Sequence, residues 1–465
     1  MRIELKTKGE ITLRKMYFVG IGGIGMSALA RYFADNGVKI YGYDRTETTL
    51  TQQLSKGGMT ITYKDELQGL PTDLDLVVYT PAIPETNNIL HHLKQSETPV
   101  LKRAEVLGAV ADGKRTIAVA GTHGKTTTSA LTTYLFRSCG VDTTAILGGI
   151  IPQFNSNYIH GDSDWLVVEA DEYDRSFLHL HPEVAIVTSL DADHLDIYGS
   201  HAEMMKTYIR FMEQVKSGGH LILHWKVVDL LPASILETLR STRSIKEYGR
   251  PGINGTMPTI SYQNDLAHFQ WIEDDNRYPT TLKMPGEHNV ANALAAIHAC
   301  QWAGVSPKCC AEKLPGFRGI WRRFEVRHLD SNHALIDDYA HHPTELTAAI
   351  HTARSVYPEW SITGIFQPHL YSRTKDFYLG FAEALDLLDE TWILDIYPAR
   401  EQPMEGVTSR LIKDNMRSAN VHLASKNTIV NQIKILDQQV IMILGAGDLY
   451  LLIPDLIRKI TDQQR

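Results

Sequence analysis

Seven consecutive residues, Gly121-Thr122-His123-Gly124-Lys125-Thr126-Thr127, carry the types that handle phosphate. A loop that turns several backbone N–H groups inward cradles phosphate oxygens, and glycine lets the chain approach them closely. Lys125 is placed to reach β- and γ-phosphates, and the Thr126 hydroxyl suits Mg²⁺. The general pattern G-x-x-x-x-G-K-[ST] calls for glycine at 119, where this chain has Val119 and puts the glycine at 121. The apolar run Thr116–Ala120 before the loop and the helical pattern after it supply the expected context.

Two acidic segments follow apolar runs in the same region. Glu169 ends Trp165–Val168 and opens Glu169-Ala-Asp171-Glu172-Tyr-Asp174. A carboxylate at a strand end beside a phosphate loop stands where a magnesium ligand is wanted. Asp191-Ala-Asp193-His194-Leu-Asp196 follows Val184–Leu190, and His194 is the second candidate for a metal or phosphate role.

Gly20-Ile-Gly22-Gly23-Ile-Gly25, with Asp44 some twenty residues on, fits G-x-G-x-x-G. The physics says that a pyrophosphate can sit on that helix N-terminus, and a UDP group satisfies it as well as a dinucleotide. Beyond residue 315 three further groups fall at strand ends: Arg322-Arg323-Phe-Glu325, Asp337-Asp338-Tyr339-Ala-His341-His342-Pro343, and Gln367-Pro-His369-Leu370-Tyr-Ser-Arg373-Thr-Lys375. Arg373 and Lys375 suit anionic groups. Repetition of this placement predicts a shared crevice.

The elements that must position these residues alternate. An apolar strand, a glycine-rich or polar turn and a helix recur along the chain, which predicts parallel α/β sheets. The pattern predicts strands at Met16–Val19 and Lys39–Tyr43 around a helix from about Met26 to Asn36. It predicts a loop helix ending near Gly140, a polar excursion of short strands and loops over 241–283, and a helix after Gly286. Strands are expected at His333–Ile336, Ile362–Phe366, Thr391–Ile396 and Val440–Leu444. Pro343 opens a helix, where its fixed φ and missing N–H cost little. Boundaries are placed near 108 and 315.

The chain has 465 residues and a formal charge of −8, with 43% hydrophobic and 22% charged residues. That length predicts two to four domains, and the balance is that of an ordinary globular protein. The negative charge argues against nucleic acid as the main partner. The run Met16–Ala30 has the outline of a signal peptide, but Gly20, Gly22, Gly23 and Gly25 fit a turn better. No run of apolar residues is long enough to span a membrane. Cys139, Cys300, Cys309 and Cys310 form no C-x-x-C pair, and adjacent cysteines rarely suit a disulfide, so free thiols in a reducing cytoplasm are expected.

With these residues in view, the chain resembles the Mur ligase family along nearly its whole length. Gly121–Thr127 is similar to that family's G-T-x-G-K-[ST] loop, which accounts for Val119. Gly20–Ser27, Phe366–Asp376, Asp395–Ala399 and Gly445–Asp448 resemble the branch that joins L-alanine to UDP-N-acetylmuramate. Glu169–Asp174 is closer to the branch that recycles a murein tripeptide with the same chemistry, and that branch is the alternative. A nicotinamide-dependent oxidoreductase, suggested by Gly20–Gly25, leaves the 121–127 loop without a purpose. An ATP-gated binding protein without catalysis leaves Lys125, Thr126, Glu169 and His194 without one.

The resemblance implies three domains: a Rossmann-like UDP-sugar-binding domain (1–108), a central phosphate-loop ATPase domain with a mostly parallel sheet (109–315), and a Rossmann-like C-terminal domain (316–465). It implies ATP and Mg²⁺, with Thr126, Glu169 and His194 as metal ligands and Lys125 on the phosphates. Asn289 and Asn292 are expected at the adenine, Arg323 and Asp338 at the nucleotide, and Tyr339, His341 and Arg373 at muramate or amino acid. Gly20, Gly22, Gly23, Gly25 and Asp44 are expected at the UDP-sugar. His194 or His341 is expected to take the amine proton, domain closure to exclude water, and the chain to be a monomer or weak dimer. Two positions depart from the family pattern: Leu370 replaces an arginine and Ser189 an asparagine, both outside the phosphate machinery.

Overall fold

The computed structural model describes residues 1–465 apart from 6–8, 192–194, 253–255, 264, 400 and 464–465. Three sheets carry the α/β architecture. The first has strands Lys15–Val19, Lys39–Tyr43, Thr60–Thr62, Leu76–Tyr79 and Val100–Lys102, all parallel, with Lys15–Val19 at the centre. That order is the nucleotide-binding one, in which the chain reverses direction across the sheet beside the first strand. The run Met16–Ala30 is therefore a strand, a turn and the start of the helix Ile24–Asp35. Asn36 caps that helix and Gly37 follows with φ +79°.

The central sheet has seven strands, in the order Ser156–Ile159, Thr144–Ile151, Trp165–Glu169, Arg115–Ala120, Val184–Val187, His220–His224 and Ser244–Tyr248. All neighbours are parallel except the first pair. Arg115–Ala120 sits between Trp165–Glu169 and Val184–Val187, so the loop that follows it emerges between their two ends. Largely apolar runs make the inner strands, as expected where both faces are covered.

Two expectations shift here. The strand expected over Val184–Leu190 ends at Val187, because Thr188 and Ser189 bend to serve the loop. Ser244–Tyr248 belongs to the central sheet, so the excursion is narrower than 241–283. A separate three-stranded sheet follows: Ser261–Gln263, Leu266–Glu273 and Asn276–Leu282.

The last sheet has strands Glu325–Leu329, His333–Asp338, Gln439–Leu444, Ser361–Phe366, Glu390–Leu394 and Val421–Ala424 in that order. Only its Glu325–Leu329 edge is antiparallel. The helix Pro343–Val356 opens at Pro343, with the His342 ring accepting from Thr344 N.

By its contacts the chain forms two units. One comprises 1–258, 270–279 and 291–317, and the other 259–269, 280–290 and 318–465. Within the first, the N-terminal and central sheets share one apolar core, running from Phe18 and Leu29 to Val168 and Phe211. Asn157 Nδ2 donates to Ile24 O (2.6 Å) and Ser27 Oγ (2.9 Å), tying the glycine-turn helix to the central sheet. The second unit packs the helices Pro343–Val356 and Tyr371–Leu385 on its six-stranded sheet.

Among the described residues no helix is long and apolar enough to cross a membrane. The expectation of four free thiols is corrected: Cys139 and Cys309 are joined by a disulfide, with Cα atoms 6.0 Å apart. Neighbours on a helix point about 100° apart. Cys309 thus meets Cys139 while the adjacent Cys310 turns inward to Cys300.

Candidate active site

The central site is built from the end of one strand and the start of one helix. Gly121 leaves Arg115–Ala120 with φ +133°, where a β-carbon would overlap Thr188 and Ser189, so the loop passes flush against its neighbour. Gly124, with φ +80°, turns the chain into the helix Lys125–Ser138. The loop is held from outside. His123 N donates to Ser189 Oγ at 2.8 Å, Ser189 Oγ meets Thr122 Oγ1 at 2.9 Å, and Thr188 Oγ1 donates to His123 O. Asp191 N donates to Thr122 Oγ1 at 3.1 Å. Ser189 was expected to lie outside the phosphate machinery; its hydroxyl instead supports two loop residues. Sequence spacing gives no sign of this, because 66 positions separate the partners.

Lys125 Nζ donates to Gly121 O (2.6 Å), Thr122 O (3.3 Å) and the Glu172 carboxylate (2.9 Å). Burial pulls the Lys125 pKa down, but the carboxylates of Glu172, Glu169 and Asp171 outweigh it and hold the ammonium above its ordinary value. Glu172 is pushed up to about 7 by burial, aided by Asp171 and opposed by Lys125. Lys125 stays charged, since three carboxylates face it. Glu172 was not singled out from the sequence, because a run of acids does not tell which one faces the lysine.

Glu169 ends its strand and accepts from Gly148 N at 3.1 Å. A β-carbon at Gly148 would overlap the carboxylate, so glycine is needed there. Thr126 lies in the first turn of the loop helix. A carboxylate and a hydroxyl are hard oxygen donors of the kind Mg²⁺ takes while keeping several waters. The residues present therefore fit that ion, although no group of three His, Cys, Asp or Glu side chains gathers as a metal cluster among the described residues. His194, the third expected ligand, lies outside the described residues. Thr127 is buried in the helix.

Asn292 packs against the loop: its Oδ1 accepts from Thr128 Oγ1 at 3.2 Å, and Gly124 lies beside it. Asn289, on the same helix Glu287–Trp302, donates its amide to Pro285 O at 2.8 Å.

In the same unit, a cavity of about 320 Å³ runs from Gly23, Gly25 and Thr80 to Glu169 and Asp171. Arg103 lines it and pairs with Asp171 at 3.0 Å. Gly22 N donates to Asp44 Oδ2 at 2.8 Å, while Gly20 N and Ile21 N bond Tyr43 O. The turn and Asp44 thus form one closed loop. Arg103 is a cation in this cavity that the sequence reading passed over; it sits in no motif.

The second unit gathers its own polar group. Asp338 Oδ2 accepts from Phe324 N and Oδ1 from Ala340 N, each at 2.7 Å. Burial pushes Asp338 up to about 6, against Arg323 and those two N–H groups. Glu345 joins the loop by accepting from His341 N at 3.0 Å, and lies 3.7 Å from Arg323. His341 Nδ1 lies 2.9 Å from Tyr339 O, which assigns the proton to Nδ1 and leaves Nε2 as acceptor. Burial drives His341 down to about 3, and Arg373 and Arg323 add to this against Glu345. Its ring packs edge-on against Tyr339 and His369.

The two adjacent arginines separate. Arg322, with φ 59°, donates to Gly445 O (2.6 Å) and Gly447 O (2.8 Å) and meets Asp337, so it staples two strand ends. Arg323 lies over the Tyr339 ring at 5.2 Å, beside Asp338 and His341. Arg373 is buried whereas Lys375 is exposed, so the structure does not bring those two cations together. Leu370 adopts φ 72° as the residue before the helix Tyr371–Leu385, and its N–H meets Tyr397 O at 2.9 Å.

A phosphate loop between two parallel strands, with carboxylates aimed at its lysine, defines a nucleotide-binding α/β protein. The chain matches the Mur ligase family catalytic domain over residues 15–115, the Mur ligase middle domain over 119–300 and the Mur ligase glutamate ligase domain over 322–454. The chain belongs to the Mur ligase family. It is 44% identical to a UDP-N-acetylmuramate–L-alanine ligase of Porphyromonas gingivalis, covering 94% of this chain and 97% of that protein. It is 40% identical to one of Flavobacterium johnsoniae, covering 97% and 98%. The crystal structure of a UDP-N-acetylmuramate–alanine ligase from Thermotoga maritima superposes with TM-score 0.78 at 28% identity, covering 97% of this chain and 99% of that one.

Proposed function

We propose that the protein joins L-alanine to the muramoyl carboxylate of UDP-N-acetylmuramate at the expense of ATP, in the cytoplasm, as a step of peptidoglycan precursor synthesis. The observation that carries this reading is full-length identity of 40% and 44% to proteins of that name. The loop at Gly121–Thr127 with Glu169 at the neighbouring strand end supplies the machinery such a reaction needs. We assign the UDP-sugar to 1–108, ATP to 109–315 and further nucleotide and amino-acid contacts to 316–465.

A carboxylate does not react with an amine at neutral pH, because its leaving group would be oxide. Transfer of the γ-phosphoryl group to a carboxylate oxygen makes an acyl phosphate and releases ADP. The alanine amine then adds to the acyl carbon, phosphate leaves, and the amide forms. Lys125 holds the charge that develops on the phosphoryl oxygens. Thr126 and Glu169, with His194, would hold Mg²⁺, which supplies further neutralisation of phosphate charge. The cavity between Gly25 and Glu169 is a path for the UDP-sugar, with Arg103 as a cation along it. The amine must lose a proton. His341 is neutral at pH 7 with Nε2 as its acceptor, and a pKa of about 3 makes it a weak base for that proton. Arg323 and Asp338 are assigned to the nucleotide and Tyr339 and Arg373 to the amino acid or muramate.

Phosphate release from ATP and Mg²⁺ with UDP-N-acetylmuramate tests the reading, with L-alanine in one tube and the murein tripeptide in another. L-alanine-dependent release supports it. Release with the tripeptide alone moves the protein to recycling, and silence in both refutes it.

A further inference from the structure

An ammonium has three N–H donors. All three of Lys125 are engaged within the chain: by Gly121 O at 2.6 Å, by Thr122 O at 3.3 Å, and by the Glu172 carboxylate, whose oxygens lie 2.9 and 2.8 Å away. The Glu172 side chain is 3% exposed and that of Lys125 13%. A lysine cannot give a full hydrogen bond to a phosphate and keep all three of these. The two carbonyls belong to the loop itself and are fixed by its turn. The carboxylate is the partner that resembles phosphate, as an anion with two oxygens.

We propose that Glu172 is a resident competitor for Lys125, which a nucleotide phosphate must displace, so that Glu172 sets nucleotide affinity and speeds nucleotide release. This rests on the reading of Gly121–Thr127 as the ATP loop. Glu172 is anchored for the task. Its carbonyl accepts from Tyr198 Oη at 2.6 Å, and the chain continues through Asp174 and Arg175 with φ of 53° and 55°. Two consecutive left-handed residues other than glycine persist only where their surroundings hold them. The pairing is not explained by stability, because a buried ion pair contributes little of it.

Displacement has an electrostatic consequence. Glu172 faces Lys125 from the loop helix, its neighbour Asp171, and the Tyr198 phenol, over which Arg175 lies at 5.6 Å. Once the ammonium turns to phosphate, the buried Glu172 carboxylate keeps Asp171 as an unfavourable neighbour and takes up a proton. Nucleotide binding therefore consumes a proton at Glu172.

Titration calorimetry with ADP at pH 8, where the nucleotide phosphates are fully ionised, tests this on the full chain in buffers of different ionisation enthalpy. The parent should show a binding enthalpy that varies with buffer, reporting proton uptake. Glu172→Gln should bind roughly tenfold or more tightly, with no buffer dependence. Equal or weaker binding by a folded Glu172→Gln overturns the proposal. So does a buffer-independent enthalpy in the parent, which decides the matter even if the variant does not fold. Lys125→Ala separates the two levels. Unchanged affinity in that variant refutes the loop reading itself. Lost affinity there together with no effect of Glu172→Gln refutes only the competitor.

Discussion

Ser189→Ala is a change whose effect is worked from two contacts. The Ser189 hydroxyl accepts from His123 N at 2.8 Å and meets Thr122 Oγ1 at 2.9 Å. Its removal leaves a loop N–H without its acceptor, and a partly buried unpaired donor costs about 1–3 kcal/mol. Ser189 is only partly covered, so water makes up some of this and the lower half of the range applies. A loop that must be re-formed at about 1–2 kcal/mol binds nucleotide roughly 5- to 30-fold more weakly, since each 1.4 kcal/mol is about tenfold. Fluorescence or calorimetric titration with ADP reads the change. Ser189→Asn, which restores a side-chain oxygen, should return affinity to within about threefold of the parent. An unchanged dissociation constant for Ser189→Ala, with an unchanged melting temperature, would refute the claim that this hydroxyl supports the loop.

Gly148→Ala should lower kcat on the order of 10²-fold while leaving the fold intact, because the new methyl displaces the Glu169 carboxylate; near-normal turnover contradicts that placement. Arg322→Ala should cost roughly 3–5 kcal/mol in unfolding free energy, by uncovering the buried Asp337 and two carbonyls. Arg323→Ala should raise KM for ATP, read from initial rates at varied ATP, and an unchanged KM counts against its assignment to the nucleotide. Burial holds His220, His224 and His288 down at about 4 and His341 at about 3. Folding thus lowers each below its unfolded value near 6.5, unfolding takes up protons, and stability falls as the pH drops from 6.5 towards 4, by up to about 1.4 kcal/mol per pH unit for each group. His224→Gln should remove one group's share of that slope in denaturant titrations, and an identical slope counts against it.

The α/β alternation and the loop were legible in the sequence because local chemistry decides them. Gly121 and Lys125 sit where a strand must become a helix, Pro343 begins a helix, and Gly286, with φ +108°, precedes another. What was not legible depends on pairs far apart in the chain. The distance from Lys125 to Glu172 is 47 positions, and that from His123 to Ser189 is 66. Nothing local marks Glu172 among its acidic neighbours. Arg322 and Arg323 look alike as letters. Only the left-handed backbone at Arg322 and at Phe324 sends one to Gly445 and Gly447 and the other towards Asp338 and His341. The cysteines misled for the same reason, since adjacency on a helix sends Cys309 and Cys310 to different partners.

The Cys139–Cys309 bond also has a topological meaning. It joins the residue that caps the phosphate-loop helix to one 170 positions later. The chain between them, which includes Glu169, Glu172, Ser189 and Asn292, is a closed covalent ring. One peptide cleavage inside this ring opens it but releases nothing, and the two parts migrate together until a reductant parts them. A cleavage outside it, in 1–138 or 310–465, leaves no covalent link between the two parts. The two ends of the chain are thus covalently separable by a single cut, while the segment that gathers around the loop lysine stays tied through the disulfide.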